Sequence, residues 1–170
     1  WYFLLLSFLV STVIAEPTVI IYKSESCGHC NIYLQELKAM LGKQGITAVQ
    51  EKSILNDKAA LQELDAFTRE RDIPYSMQGH MVTRINDLVL EGHIPLEIIE
   101  ELFATYPGYA FPKLVLFQDS MDLLVTDYRL LEQNAQKECT TEASLAWCRE
   151  QAGQEVTEKN SLFSVLCLIL

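Results

Sequence analysis

The sequence predicts a mixed α/β fold built on one central sheet. Three observations carry this reading. Thr18-Val-Ile-Ile-Tyr22 is a β-branched apolar run of the kind that forms a strand buried on both faces. The segments after it place apolar residues at helical spacing, and between Pro17 and Tyr106 the signals alternate as strand, helix, strand, helix, strand, strand, helix.

The elements follow in order. Tyr33, Leu34, Leu37, Met40 and Leu41 fall on one helical face, with Gly42 and Gly45 marking its end. Ile46 to Glu51 reads as a short second strand. Ala60, Leu61, Leu64 and Phe67 give a second helix that must stop before Ile73-Pro74, because a proline disfavours helical geometry in the residue before it. Met77 to Ile85 and Leu88-Val-Leu90 read as a strand pair joined at Asn86-Asp87. Pro95 suits the start of a helix whose buried stripe is Ile98, Ile99, Leu102 and Phe103. Beyond Tyr106-Pro-Gly108, Lys113 to Phe117 and Tyr128 to Leu131 are strand-like, and Glu142 to Gln151 is expected to be a helix capped by Thr141. These last elements are expected to form an extension, 107–153, packed on a core domain at 16–106.

The chain has 170 residues, 49% of them hydrophobic, with 13 basic against 23 acidic side chains. A net charge of −10 excludes a nucleic-acid binder, which needs clustered Lys and Arg to neutralise phosphates. The apolar content also excludes a disordered chain. Trp1 to Ala15 has no charged residue, and Val13-Ile-Ala15 offers the small or aliphatic positions of a cleavage site before Glu16-Pro17. Residues 1–15 therefore read as a secretory signal lacking its charged start, in a chain truncated upstream, or as an uncleaved anchor. Residues 154–170 read as a linker followed by the start of a transmembrane segment, or as a tail packed on the domain; the ten apolar residues from Ser161 cannot span a bilayer alone. Either way the domain is expected to be exported, periplasmic or extracytoplasmic, and membrane-associated.

The chemistry concentrates at Cys27-Gly28-His29-Cys30, which follows a buried strand and opens a helix. The positive end of the helix dipole favours a thiolate at Cys27, and Cys30, one turn on, can resolve a mixed disulfide. A donor at His29 would stabilise that thiolate, which points to an oxidising or isomerising couple. The competing readings are a permanent disulfide and a metal site. A second close cysteine pair is absent from the sequence, but His80 and His93 could fold back to complete a Cys₂His₂ or copper site. Cys139 and Cys148 are expected to form a structural disulfide, the alternative being a second redox pair that relays to the first. Cys167 reads as a small hydrophobe. Tyr106, Tyr109 and Phe111 read as a packed loop or a substrate surface.

Strand, Cys27-Gly-His-Cys30, helix, then Ile73-Pro74 ahead of a strand pair and final helix resembles the thioredoxin superfamily in its glutaredoxin-like form. The resemblance covers about Pro17 to Tyr106 and implies a mixed four-stranded sheet. The tetrapeptide is similar to that of protein disulfide isomerases. The resemblance implies that Cys27 is the nucleophile, Cys30 the resolving thiol, Pro74 a cis-proline and Ile73 a backbone partner for bound peptide. The glutathione-binding residues of glutaredoxins are not identifiable in this chain, so the resemblance does not extend to glutathione specificity. A narrower resemblance, through Ile73-Pro74, Gly79-His80 and Glu91-Gly-His-Ile-Pro95, is to exported thioredoxin-like proteins suspected of metal handling, in which the position of Gly79 is commonly cysteine. The leading expectation is an exported thiol–disulfide oxidoreductase acting through Cys27, Cys30 and His29. It uses no cofactor or metal, takes protein thiols and disulfides as partners, and serves a membrane electron-transfer partner. The alternatives are a copper- or zinc-binding domain using Cys27, Cys30 and a histidine, and a redox-inactive binding module.

Overall fold

A computed structural model describes residues 17–24, 28–120 and 125–150. The two apolar ends, 1–15 and 161–170, lie outside the described residues, among which no helix is long and apolar enough to cross a membrane.

The order is β1 (Val19–Lys23), α1 (Gly28–Lys43), β2 (Val49–Ser53), α2 (Lys58–Glu70), β3 (Met81–Ile85), β4 (Leu88–Gly92), α3 (Leu96–Thr105), β5 (Leu114–Gln118), β6 (Asp127–Glu132) and β7 (Ala135–Thr140). All seven strands form one sheet in the order β2-β1-β3-β4-β5-β6-β7. The α/β class is as the sequence predicts, but the sheet has seven strands and not four. The helix α3 carries the chain across to β5, which lies parallel to β4, and two antiparallel pairings add β6 and β7. The extension therefore prolongs the sheet through backbone hydrogen bonds.

The pleat divides the core in two. On one face Ile21, Met81, Leu90, Leu116 and Leu130 meet α1 and α3. On the other, Ile20, Tyr22, Val82, Val89 and Val115 meet Phe67 of α2, with Ile73 and Met77.

Both long connections leave their helix in the same way. Gly45 has φ +84°, the Ile46 N–H donates to the Leu41 carbonyl and the Gly45 N–H to that of Gly42. This is a Schellman motif, in which Ile46 is the buried apolar residue beyond the turn, so β2 starts at Val49 and not at Ile46. At the end of α2, Asp72 has φ 52° and the Ile73 N–H donates to the Thr68 carbonyl. Tyr75–Met77 then forms a 3-10 turn, closed by the Met77 N–H on the Pro74 carbonyl at 2.8 Å, so β3 begins at Met81 and not at Met77.

Residues 145–150 are helical. Their start differs from the expected Glu142 because Ser144, not Thr141, caps them: its Oγ accepts from the Trp147 N–H at 3.1 Å. The Glu101 carboxylate of α3 accepts the Leu145 and Ala146 N–H groups at 2.9 and 3.3 Å, which gives the helix start an anion from another element. Glu101→Ala is expected to cost ~1–2 kcal/mol, as loss of a side-chain cap does, and urea unfolding measures it. A Glu101→Gln protein should recover part of the loss.

Cys139 of β7 and Cys148 form the expected disulfide, with Cα atoms 5.9 Å apart. Both cysteines are buried, which accords with the expected structural bridge more than with a relay pair. Closing so short a loop is worth ~2.5 kcal/mol on the chain-entropy model. A Cys139→Ala, Cys148→Ala protein is expected to lose about that in denaturant unfolding and to keep the function of the rest of the domain.

Candidate metal centre

Four strand ends meet at one edge of the sheet. β1 runs out toward α1, and its last residue, Lys23, pairs with Met81, the first of the antiparallel β3. This sets His80, immediately before β3, opposite the start of α1. β4 and β5 run parallel and end together at Gly92 and Gln118, which places His93 beside Asp119 and Ser120. Cys30, the third residue of α1, completes the group.

Cys30, His80 and His93 each offer one ligand atom, all within 4.8 Å of one another. Donor atoms around a zinc or copper ion with bonds of about 2.0–2.3 Å lie roughly 3.5 Å apart, so small side-chain rotations close the site. Cys30 is 1% exposed and His93 4%. The two imidazoles meet edge to face with centroids 4.8 Å apart, and the Tyr33 ring lies 4.9 Å from that of His93. Tyr33 donates its hydroxyl proton to the Ile94 carbonyl at 2.8 Å, which ties α1 to the segment carrying His93. Burial pushes the Tyr33 phenol strongly upward, so it stays a neutral donor.

Each histidine is oriented from its Nδ1 side. The His80 Nδ1 is hydrogen-bonded to the Asp119 carboxylate, which also accepts the His80 backbone N–H at 3.2 Å. The His80 Nε2 is buried and has no hydrogen-bond partner among the described residues. The His93 Nδ1 lies 3.2 Å from the Ser120 carbonyl. A carboxylate or carbonyl behind one ring nitrogen fixes the tautomer and presents the other nitrogen to a cation. A sulfur, two imidazoles and their outer partners suit zinc or copper rather than a hard cation such as calcium.

Two glycines make the approach possible. Gly92 has φ +83°, and a Cβ there would stand 2.0 Å from the Gln118 carbonyl oxygen, where His93 N–H donates at 2.6 Å. A Cβ at Gly79 would stand 2.8 Å from the Gly92 nitrogen. A cysteine at 79 thus has no room unless β4 shifts. The Gly79 N–H instead donates to Glu91 Oε2 at 2.9 Å. Desolvation raises the Glu91 carboxyl to about 7, opposed by the Gly79 N–H and helped by the Asp119 charge. A cleft of about 370 Å³ reaches His93 from solvent past Glu36, Glu97, Gln118 and Pro95, and its two carboxylates suit a route for cations.

Cys27 and the His29 side chain lie outside the described residues, whereas Cys30 is disulfide-bonded. The expected cis-proline is absent: the Ile73–Pro74 bond is trans. Ile73 is a buried helix-stop residue whose N–H goes to Thr68 and whose carbonyl accepts from Gln78 Nε2 at 3.1 Å, so its backbone is already engaged and does not offer a peptide strand an edge. The dipeptide that directly precedes β3 and lies beside Cys30 is Gly79-His80. Tyr106, Tyr109 and Phe111 are a packed loop, edge to face with one another or with Phe103. Asp119 and Ser120 were not singled out from sequence; the one signal there is an acid and a hydroxyl residue directly after a strand.

No family model matches the chain, and no curated protein matches it. Two solved structures are similar, both of a copper resistance protein, CopG, in forms 1 and 2, at 17% identity and a TM-score of 0.42. The first match covers 68% of this chain and 87% of that one, the second 76% and 94%.

Proposed function

We propose that this protein is an exported metal-binding domain that holds a copper or zinc ion on Cys30, His80 and His93. The observation that carries the reading is the three convergent ligand atoms, with both imidazoles held from behind by Asp119 and Ser120. The core order β2-β1-β3-β4, with β1 parallel to β2 and antiparallel to β3, supports a thioredoxin-like frame. The Cys139–Cys148 bridge supports an oxidising compartment and so export.

A second reading, thiol–disulfide exchange with protein substrates and a membrane electron-transfer partner, is favoured by the disulfide at Cys30 in the first turn of α1. The two are separated by titrating the reduced protein with Cu(I) and with Zn(II) against a competing chelator, alongside an insulin-reduction assay repeated on Cys27→Ser. One tight equivalent that is lost in His80→Ala supports the metal reading. Rapid insulin reduction that disappears in Cys27→Ser, without a tight metal equivalent, overturns it in favour of exchange.

A further inference from the structure

Cys30 has two incompatible uses within the same few ångströms. Its sulfur is engaged in a disulfide, yet its position is that of a third ligand to the pair His80 and His93. A metal ligand must be a thiolate, and a disulfide sulfur has no such charge to share. We propose that the redox state of Cys30 switches the metal site: the oxidised protein offers two imidazoles and holds a thiophilic cation weakly, and the reduced protein offers a thiolate and two imidazoles and holds it tightly. This inference rests on the metal reading and adds its regulation.

The chemistry balances with a dithiol as reductant. One thiolate of the dithiol attacks the disulfide, the S–S bond breaks, two electrons pass to the protein sulfurs, and the reductant leaves as its own disulfide. The Cys30 thiol then gives up its proton to solvent as its sulfur takes the cation. Once reduced and loaded, Cys30 is held in the thiolate form, because a bound cation would occupy the sulfur electrons that reoxidation requires. Because linkage is reciprocal, a cation that prefers the reduced form must also make the disulfide easier to reduce.

The test uses the full chain and Co(II) as probe, whose thiolate charge-transfer absorption reports sulfur ligation directly. Affinity is measured on the disulfide form and on protein reduced by a dithiol that is then removed without air. The reduced form is expected to bind at least ~100-fold more tightly, since even an outer partner of a ligand is worth 10–100-fold, and to show the thiolate band. The oxidised form should lack that band. Cys30→Ser should bind weakly under both conditions, and Zn(II) at saturation should raise the potential of the wild-type couple by ~60 mV, the equivalent of a 100-fold preference. Equal affinity in the two forms, or a thiolate band that survives in Cys30→Ser, overturns the switch and leaves the metal reading standing. Failure of both forms to bind Co(II), Zn(II) or Cu(I) overturns both.

Discussion

His80→Ala is expected to weaken metal binding by at least ~100-fold, more than the loss of any outer partner, while leaving the fold intact. The imidazole offers one of three convergent candidate ligand atoms, and its side chain stands at the edge of the sheet before β3, outside both core clusters. Asp119→Ala should give a graded version of the same defect, ~10–100-fold, because it frees the His80 ring to rotate and to change tautomer. Chelator competition gives the affinities and circular dichroism checks the fold. Wild-type affinity in His80→Ala would remove this histidine from the site. A defect in Asp119→Ala as large as in His80→Ala would make Asp119 a ligand and not a positioning residue.

Gly92→Ala is expected to be the most damaging single substitution for stability, at ~3–5 kcal/mol from a left-handed backbone and an overpacked contact together. The added methyl would meet the Gln118 carbonyl oxygen at 2.0 Å and its carbon at 2.8 Å, and both are backbone atoms that cannot swing aside. The ends of β4 and β5 would have to part, taking His93 away from the Ser120 carbonyl. Metal affinity should therefore fall together with stability. Gly42→Ala is the matched control. Gly42 lies in α1 with open space where a Cβ would stand, so alanine there should be neutral or stabilising by up to ~1 kcal/mol. Thermal unfolding of the two proteins decides the matter; a Gly92→Ala protein as stable as wild type would mean that the β4–β5 approach is looser than described.

What the sequence made legible follows from the range of the interactions concerned. The strand before Cys27, the helix after Cys30 and the stripe of α3 rest on local periodicity, and all are present. The hidden strand is β7: five of its six residues, Ala135-Gln-Lys-Glu138 and Thr140, are not fully buried, and only Cys139 is, so no alternation marks it. Its turn was equally obscure, because Gln133 and Asn134 both take positive φ without the Asn-Gly signature of such hairpins. The thioredoxin resemblance implies a cis-proline at Pro74, but the bond is trans and a 3-10 turn separates Pro74 from β3. The sequence offers His80 and His93 as partners of the cysteine pair only as an alternative, because their meeting with Cys30 depends on antiparallel β1–β3 and parallel β4–β5 pairing, each spanning tens of residues.

Four strand ends supply the site and its supports, and His80 and Asp119, for example, are 39 residues apart in the chain. An unfolded chain would therefore hold nothing resembling this cluster, and an ion bound there would act as a rivet across the open edge of the sheet. By mass action a free ion at one hundred times its Kd would add ~2.7 kcal/mol to folding stability. For a protein that must fold before it can be loaded, arrival of a metal would then also decide how long the finished domain resists proteolysis.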